Sequence, residues 1–334
     1  MKFLTNVEGI HRFSLNVTAR MRPELYYHLS QDGTSMASSD FSEYFSGERY
    51  KQLIRLIDLA LDEDGPDPGS QAIFAPGDRF EALIVAKEDT GIAGFPVIPL
   101  VLDRCIFRDP DTDPAYSWEA MVEEGGTAAR GVTVARLNGA ARHLLRSERV
   151  ILNIVSRLCG IATRTRQYVE ALSGTGVRLL DTRKTQPGMR VADKYAVRMG
   201  GGTNHRFSLA DMIMLKDNHI DASGSMSSAV AKVRALHPDL PLEAECRTMA
   251  EVDEAVACKV DRLMLDNMGP EAMAASLARI PPEIEVEISG NVNLCDIRNL
   301  ALIGPRHADF ISVGRLTHSV KAADLSMRLA PEER

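Results

Sequence analysis

The sequence predicts an α/β fold: a strand-rich N-terminal sandwich domain followed by an incomplete, TIM-like β/α barrel. After Gly174, short apolar runs that end in a polar residue alternate with helical stretches, which is the rhythm of a parallel sheet with crossover helices. Before it, between Arg79 and about Leu137, β-branched and apolar runs are separated by Gly, Pro and Asp, as in a small domain of strands. No G-x-G-x-x-G follows any of the later strands, which weakens the open dinucleotide-binding alternative.

Length and composition bound the rest. The chain has 334 residues, 45% hydrophobic and 25% charged, enough for two folded domains and unlike a disordered chain. Residues 1–45 are polar and aperiodic and are read as an extension. From Arg49 to Leu61 the apolar Leu53, Ile54, Ile57 and Leu61 recur at helical spacing, and the turn-rich EDGPDPGS ends that helix. The runs FEALIVAKE, GFPVIPLVL and GVTVARL are read as strands, and Ala141–Leu172 as one or two long helices. Barrel strands are expected at Val177–Asp181, Met212–Lys216, Leu242–Cys246, Arg262–Asp266, Ile284–Ile288 and Asp309–Val313. Helices are expected near 194–199, 225–236, 249–257, 270–280 and 294–303, with a last one near 319–328. The resulting domains are 46–155 (sandwich), 156–316 (barrel) and a C-terminal helix at 317–334 that packs back on the sandwich.

Several function classes drop out. The N-terminus lacks the apolar run of a signal peptide, and no segment reaches the ~18 apolar residues of a membrane helix, so the expected compartment is the cytoplasm. The five cysteines are odd in number, dispersed and never in a C-x-x-C pair, which indicates neither a disulfide framework nor a zinc site. A net charge of −7 and a single Trp argue against a nucleic-acid surface.

Against that acidic background, Asp181–Asp217 holds seven Lys and Arg and four Asp, together with Pro187-Gly188 and Gly200-Gly201-Gly202. A basic island with turns that let the backbone come close points to an anionic ligand. The predicted strands end in Asp181, Lys216, Glu245 and Asp266, then Ser289-Gly290-Asn291 and Gly314. In a β/α barrel these ends meet on one face. The late glycine turns suit a phosphate, and Glu245 and Asp266 suit ribose hydroxyls or Mg²⁺, which takes hard oxygen ligands. A sugar phosphate with Mg²⁺ is implied, beside a second anion held by the island.

The motifs DTRKT (181–185), KYAVR (194–198), GGGTNHR (200–206), KDNH (216–219), LDN (265–267), SGN (289–291) and ISVGRLTHS (311–319) resemble those of the quinolinate phosphoribosyltransferases, from about Arg49 to the C-terminus. The resemblance implies a homodimer, or an assembly of dimers, with shared sites. It implies a pentosyltransferase of NAD biosynthesis that joins quinolinate to phosphoribosyl pyrophosphate with Mg²⁺, releasing pyrophosphate and CO₂ and leaving nicotinate mononucleotide. It assigns the quinolinate carboxylates to Arg149, Arg183, His205, Arg206 and Lys216, and the junction of the two substrates to Lys184. Glu245 and Asp266 then hold ribose and metal, while Ser289, Gly290, Asn291 and Gly314, with Arg315 and His318, receive the 5′-phosphate. Lys194 stays outside the site, and His219 orders the KDNH turn. The chain departs from the family at EDGPDPGSQAIF, in the length of residues 1–45, and at Arg315, where a small residue is common. The competing readings are a paralogue acting on another heteroaromatic acid and a non-catalytic sensor of the pyridine acid.

Overall fold

A computed structural model describes residues 41–331, so nearly all of the expected extension lies outside the described residues. The chain divides into two compact units, one running to Gly160 and resuming at Lys321, the other Ile161–Val320.

In the first unit α1 (Gly47–Asp64) buries Leu53, Ile57 and Leu61, one turn apart, and stops at Gly65, whose φ of 70° lies in the left-handed region. The turn-rich segment that ends α1 also starts α2 (Pro68–Ile73): the Asp67 carboxylate accepts the Ser70 N–H and proline sits in the first turn. Then follow β1 (Arg79–Ala86), β2 (Thr90–Gly91), α3 (Val97–Arg108), β3 (Tyr116–Ala120), β4 (Thr127–Ala128) and β5 (Thr133–Ala140). The helix α3 corrects the strand expected in GFPVIPLVL. Its buried Val97, Ile98, Val101, Leu102 and Cys105 are spaced for one helical face, and burial of that face overrides the β-branched preference. Arg104 and Arg108 of α3 meet Asp58 and Asp62 of α1 at 2.7–2.9 Å. A single long helix, α4 (Ala141–Ala171), starts in the first unit and continues into the second.

The C-terminal segment is a second correction. In place of the helix expected over 317–334, Leu325–Pro331 pairs antiparallel with β1 from Ala86↔Leu325 to Phe80↔Pro331. The sheet, with this strand (β12) added, runs β12-β1-β5-β3. Without β12 the outer edge of β1 would present a row of unpaired backbone groups, and satisfying it outweighs the weak helical pattern of ADLSMRLA. The return to the first unit was anticipated; the kind of element was not.

The second unit runs β6 (Arg178–Leu180), α5 (Arg190–Met199), β7 (Ile213–Leu215), α6 (Asp217–Ser223), α7 (Met226–Leu236), β8 (Leu242–Cys246), α8 (Met249–Ala257), β9 (Arg262–Asp266), α9 (Pro270–Leu277), β10 (Glu285–Ser289), α10 (Ile297–Ala301) and β11 (Phe310–Ser312). All neighbouring strands pair in parallel, in the order β6-β11-β10-β9-β8-β7. The two edge strands, β6 and β7, are not paired with each other, which makes the barrel incomplete. The six strands fall where the apolar runs put them. β8 and β9 match residue for residue, and the helices begin at sequence-legible caps such as Ser225 and Thr248. Among the described residues no helix is long and apolar enough to cross a membrane, and the five cysteines form no disulfide with one another.

Candidate active site

Side chains two residues apart on a strand share a face, so the barrel strands carry their polar residues in registered layers. On β8 these are Glu243 and Glu245, on β9 Arg262 and Asp266, and on β10 Glu285, Glu287 and Ser289. The register sets Ser289 opposite Asp266 and Glu245 opposite Met264.

At the C-terminal ends of β9 and β10 two turns lock together. Asn267 donates from Nδ2 to Asp266 at 2.7 Å, takes the Nδ2–H of Asn291 at 3.3 Å, and donates its backbone N–H to the Ser289 carbonyl at 3.1 Å. Asn267 and Asn291 both have positive φ, a conformation asparagine tolerates. Gly290 must be glycine: its φ is 99°, and a Cβ there would come 2.3 Å from Asn267 Oδ1. At the end of β11, Gly314 is pressed between Lys184 and His318, since a Cβ would lie 2.9 Å from Lys184 Cδ and 3.2 Å from His318 Cδ2. Lys184 is further tied by its carbonyl, which accepts the Thr317 hydroxyl at 2.8 Å. Ser289, Gly290, Asn291, Gly314, His318 and Lys184 therefore share one end of the sheet. Arg315 is exposed on the short 3₁₀ turn Gly314–Leu316.

At the other end Lys216 closes β7, and its Nζ meets Glu245 Oε2 at 2.9 Å. His219 accepts the Lys216 N–H on Nδ1 at 3.0 Å, which is the turn-ordering role expected of it. Arg206 Nη1 donates to the Met212 carbonyl at 2.7 Å, which sets its guanidinium beside β7. Burial first, and the charge of Arg183 second, lower the pKa of Arg206, and the carboxylates of Glu243 and Asp211 only partly oppose them. Arg183 Nε is buried with no hydrogen-bond partner. Two crowded guanidiniums, one with an orphaned donor, can accept a dianion. Arg149 is exposed on α4, within the first unit.

Behind the cations lie two ionic clusters that meet at His205. Asp181 and Lys194 form a fully buried ion pair. Lys194 Nζ also donates to the His205 carbonyl at 2.9 Å, Asn204 Nδ2 to Asp181 at 2.7 Å, and the His205 N–H to Asp181 at 2.8 Å. Lys194, left outside the expected site, thus anchors the loop that carries it. The second cluster engages the ring of His205. Nδ1 accepts the Arg206 N–H at 2.7 Å, and Nε2 lies 3.1 Å from Glu243 and 3.3 Å from Glu287, both fully buried. Burial opposes an added proton here, but the two glutamates together outweigh it, so the cluster holds a proton above the ordinary imidazole range. Burial, then Glu287, also raises Glu243. The cluster thus gathers an extra proton. The Arg206 N–H occupies the Nδ1 lone pair, where a second ring proton would have to sit, so that proton rests on the carboxyl side.

His205 is expected to touch a quinolinate carboxylate; in the structure its Nδ1 accepts the Arg206 N–H, and its Nε2 lies near both glutamates without a hydrogen-bond partner. Glu243, Glu287 and Asn267 were not among the expected site residues. The signal for the two glutamates was the alternation in LEAEC and EIEVEIS, where acids recur at every second position of otherwise apolar barrel strands.

Two family descriptions match the chain in order: the N-terminal domain of quinolinate phosphoribosyl transferase over residues 67–159 and its C-terminal domain over residues 161–328. A probable nicotinate-nucleotide pyrophosphorylase [carboxylating] of Synechocystis is 42% identical, with 75% of this chain and 83% of the relative covered. The nicotinate-nucleotide pyrophosphorylase [carboxylating] of Mycobacterium leprae is 38% identical, covering 82% and 95%. The crystal structure of NadC from Streptococcus pyogenes superposes with a TM-score of 0.78 at 38% identity, over 84% of this chain and 98% of that one. The chain belongs to the quinolinate phosphoribosyl transferase family.

Proposed function

We propose that the spatial order of the barrel strands is the order in which the substrates lie. The chain is a pentosyltransferase of NAD biosynthesis that transfers phosphoribose from phosphoribosyl pyrophosphate to quinolinate with loss of CO₂. One observation carries the placement of its substrates. Across the sheet the glycine turns of β11 and β10 come first, then Asp266 on β9, Glu245 on β8, and last Lys216 on β7 with Arg206 beside it. That is the sequence of groups in the joined substrates: 5′-phosphate, ribose, anomeric carbon, aromatic acid.

In this reading the backbone N–H groups of Gly290, Asn291 and Gly314, with Ser289, Arg315 and His318, take the 5′-phosphate. Arg206, Lys216 and Arg183, joined by Arg149 of the partner subunit, hold the two quinolinate carboxylates, the arginines by their planar forks. Lys184, pressed against Gly314, is the residue we assign to the junction of the two substrates. The pyridine nitrogen gives its lone pair to the anomeric carbon, and pyrophosphate leaves with the electrons of the broken C–O bond. Positive charge builds at that carbon, and Glu245 and Asp266 stabilise it. The quaternised nitrogen then stabilises the carbanion left when the 2-carboxylate departs as CO₂, and a proton completes nicotinate mononucleotide. Glu245 and Asp266 fit Mg²⁺, being hard oxygen donors on adjacent strands at the site's partly open end. When bound there with substrate oxygens, the ion would offset the charge of the leaving pyrophosphate. We take the chain's compartment to be the cytoplasm, where dispersed cysteines that form no disulfide are the rule.

Replacing the acids tests the placement. Glu245→Gln and Asp266→Asn should each raise the KM for phosphoribosyl pyrophosphate and shift its Mg²⁺ dependence, with little change in quinolinate binding. An effect confined to quinolinate affinity would overturn the assignment. We also infer a homodimer in which Arg149 serves the partner's site. Arg149→Ala and Lys184→Ala subunits, each inactive alone, should regain about a quarter of wild-type activity when allowed to reassociate in equal amounts. Proven subunit exchange without recovery would place Arg149 outside the partner's site.

A further inference from the structure

β6 and β11 are the first and last barrel strands in sequence and neighbours in space, and their backbones run paired as far as Leu180 and Val313. Beyond that point they part: β6 leads into the loop 182–189 with Lys184, and β11 into the 3₁₀ turn Gly314–Leu316. The Thr317 side chain brings them together again. Its hydroxyl, fully buried, donates to the Lys184 carbonyl at 2.8 Å across 133 positions of sequence. The turn itself does not need that hydroxyl. The Gly314 carbonyl already takes the backbone N–H groups of Thr317 at 3.2 Å and His318 at 3.1 Å, and it stands 3.3 Å from the hydroxyl, whose single proton goes to the nearer oxygen. A buried hydroxyl costs stability unless it is used, and its use here lies in the loop of Lys184.

We propose that Thr317 is a positioning residue: its hydroxyl ties the backbone of Lys184 to the phosphate turn, so that the ammonium is presented to the junction of the substrates at a set distance from the 5′-phosphate. An ammonium on a four-carbon stem is placed only as well as the backbone beneath it and the surface the stem lies on. Both are provided. The Lys184 N–H donates to the Thr182 hydroxyl at 3.1 Å and its carbonyl accepts from Thr317, so the peptide groups on both sides of its Cα are held. The stem crosses Gly314, where a Cβ would come 2.9 Å from Lys184 Cδ. Lys184 is otherwise exposed, so without the hydroxyl its carbonyl can turn to water and the loop is released from β11.

The inference rests on the reading that Lys184 serves the junction of the two substrates, and its test separates the two. Initial rates are measured for the wild type, Thr317→Val and Thr317→Ser. The valine variant should lose about tenfold or more in kcat with the KM for quinolinate nearly unchanged, and the serine variant, which keeps the hydroxyl, should retain most of the rate. Should Thr317→Val not fold, Thr317→Ala removes the same hydroxyl with a smaller side chain. Binding of phosphoribosyl pyrophosphate with Mg²⁺, in the absence of quinolinate, is then followed by calorimetry in the wild type, Thr317→Val, Lys184→Ala and the double variant. Loss of the hydroxyl should weaken binding about fivefold where Lys184 is present and leave it unchanged where Lys184 is replaced, because residues that act as a unit are not additive. Equal losses in both backgrounds would make Thr317 a support of the phosphate turn alone and sink the proposal. So would a serine variant as slow as the valine one, or a defect confined to the KM for quinolinate. Lys184→Ala with wild-type turnover and donor affinity would instead refute the reading of Lys184, an outcome read from that single variant without touching Thr317.

Discussion

The Asp181–Lys194 pair and the His205–Glu243–Glu287 cluster are both sealed from solvent and both touch His205, one through its backbone and the other through its ring, yet only the first is balanced. Asp181 faces one ammonium and accepts further N–H groups from Asn204 and His205, so its charge is fully answered. The cluster sets two carboxylates against one imidazole, with Arg262 no nearer to Glu287 than 3.8 Å. A balanced buried pair makes a rigid anchor, whose cost of desolvation is offset by attraction and hydrogen bonds. An unbalanced one stores proton affinity and orients what it touches.

The largest expected effect falls on the anchor. Lys194→Met leaves the Asp181 carboxylate buried and uncompensated, and should cost about 3–5 kcal/mol in denaturant unfolding. Glu287→Gln, which removes charge from the unbalanced cluster and breaks no well-formed hydrogen bond, should cost less than about 1 kcal/mol. Similar losses in the two variants would erase the distinction between them.

Asp103 is a third case, a carboxylate with a hydrogen-bond donor and no close ion partner. The Tyr116 hydroxyl donates to it at 2.8 Å. Burial pushes its pKa up to about 6, only partly opposed by that hydrogen bond and by Arg104. A carboxyl whose pKa is raised by folding is bound to its proton more tightly in the native state, so its contribution falls as pH rises from about 4 to about 6. Asp103→Asn keeps the acceptor and removes the charge. It should therefore raise stability at pH 7 by at most about 3 kcal/mol and make no difference below about pH 4. A gain that is the same at every pH would mean that Asp103 is not held in this state.

What the sequence revealed of this arrangement depended on whether a signal was local. Leu242–Cys246 and Arg262–Asp266 were readable as strands because each is a short apolar run closed by turn residues. Val97–Arg108 was not readable as a helix, because the β-branched run that opens it looks like a strand until its buried face is known. The strand Leu325–Pro331 exists to cover an edge supplied by residues some 240 positions earlier, a requirement no local pattern encodes. The site divides in the same way. Lys184, Lys216, Glu245, Asp266 and the glycine turns stand at strand ends, where sequence order alone marks them. Glu243 and Glu287 lie inside strands and acquire meaning only when the barrel brings them to His205. The strand order that sets β11 beside β6, and so Gly314 against Lys184, was equally hidden, since the two are the last and first strands of the barrel in sequence.

The central claim, that the strand ends hold phosphoribose at one end and a dicarboxylate at the other and join them with decarboxylation, can be measured in a single reaction. Purified protein is incubated with phosphoribosyl pyrophosphate, Mg²⁺ and quinolinate labelled with ¹³C in its 2-carboxylate. Nicotinate mononucleotide and labelled CO₂ should appear in equal amounts, and nicotinate should not replace quinolinate. Saturable quinolinate binding without turnover, or a nucleotide formed from another heteroaromatic acid with no labelled CO₂, would contradict it.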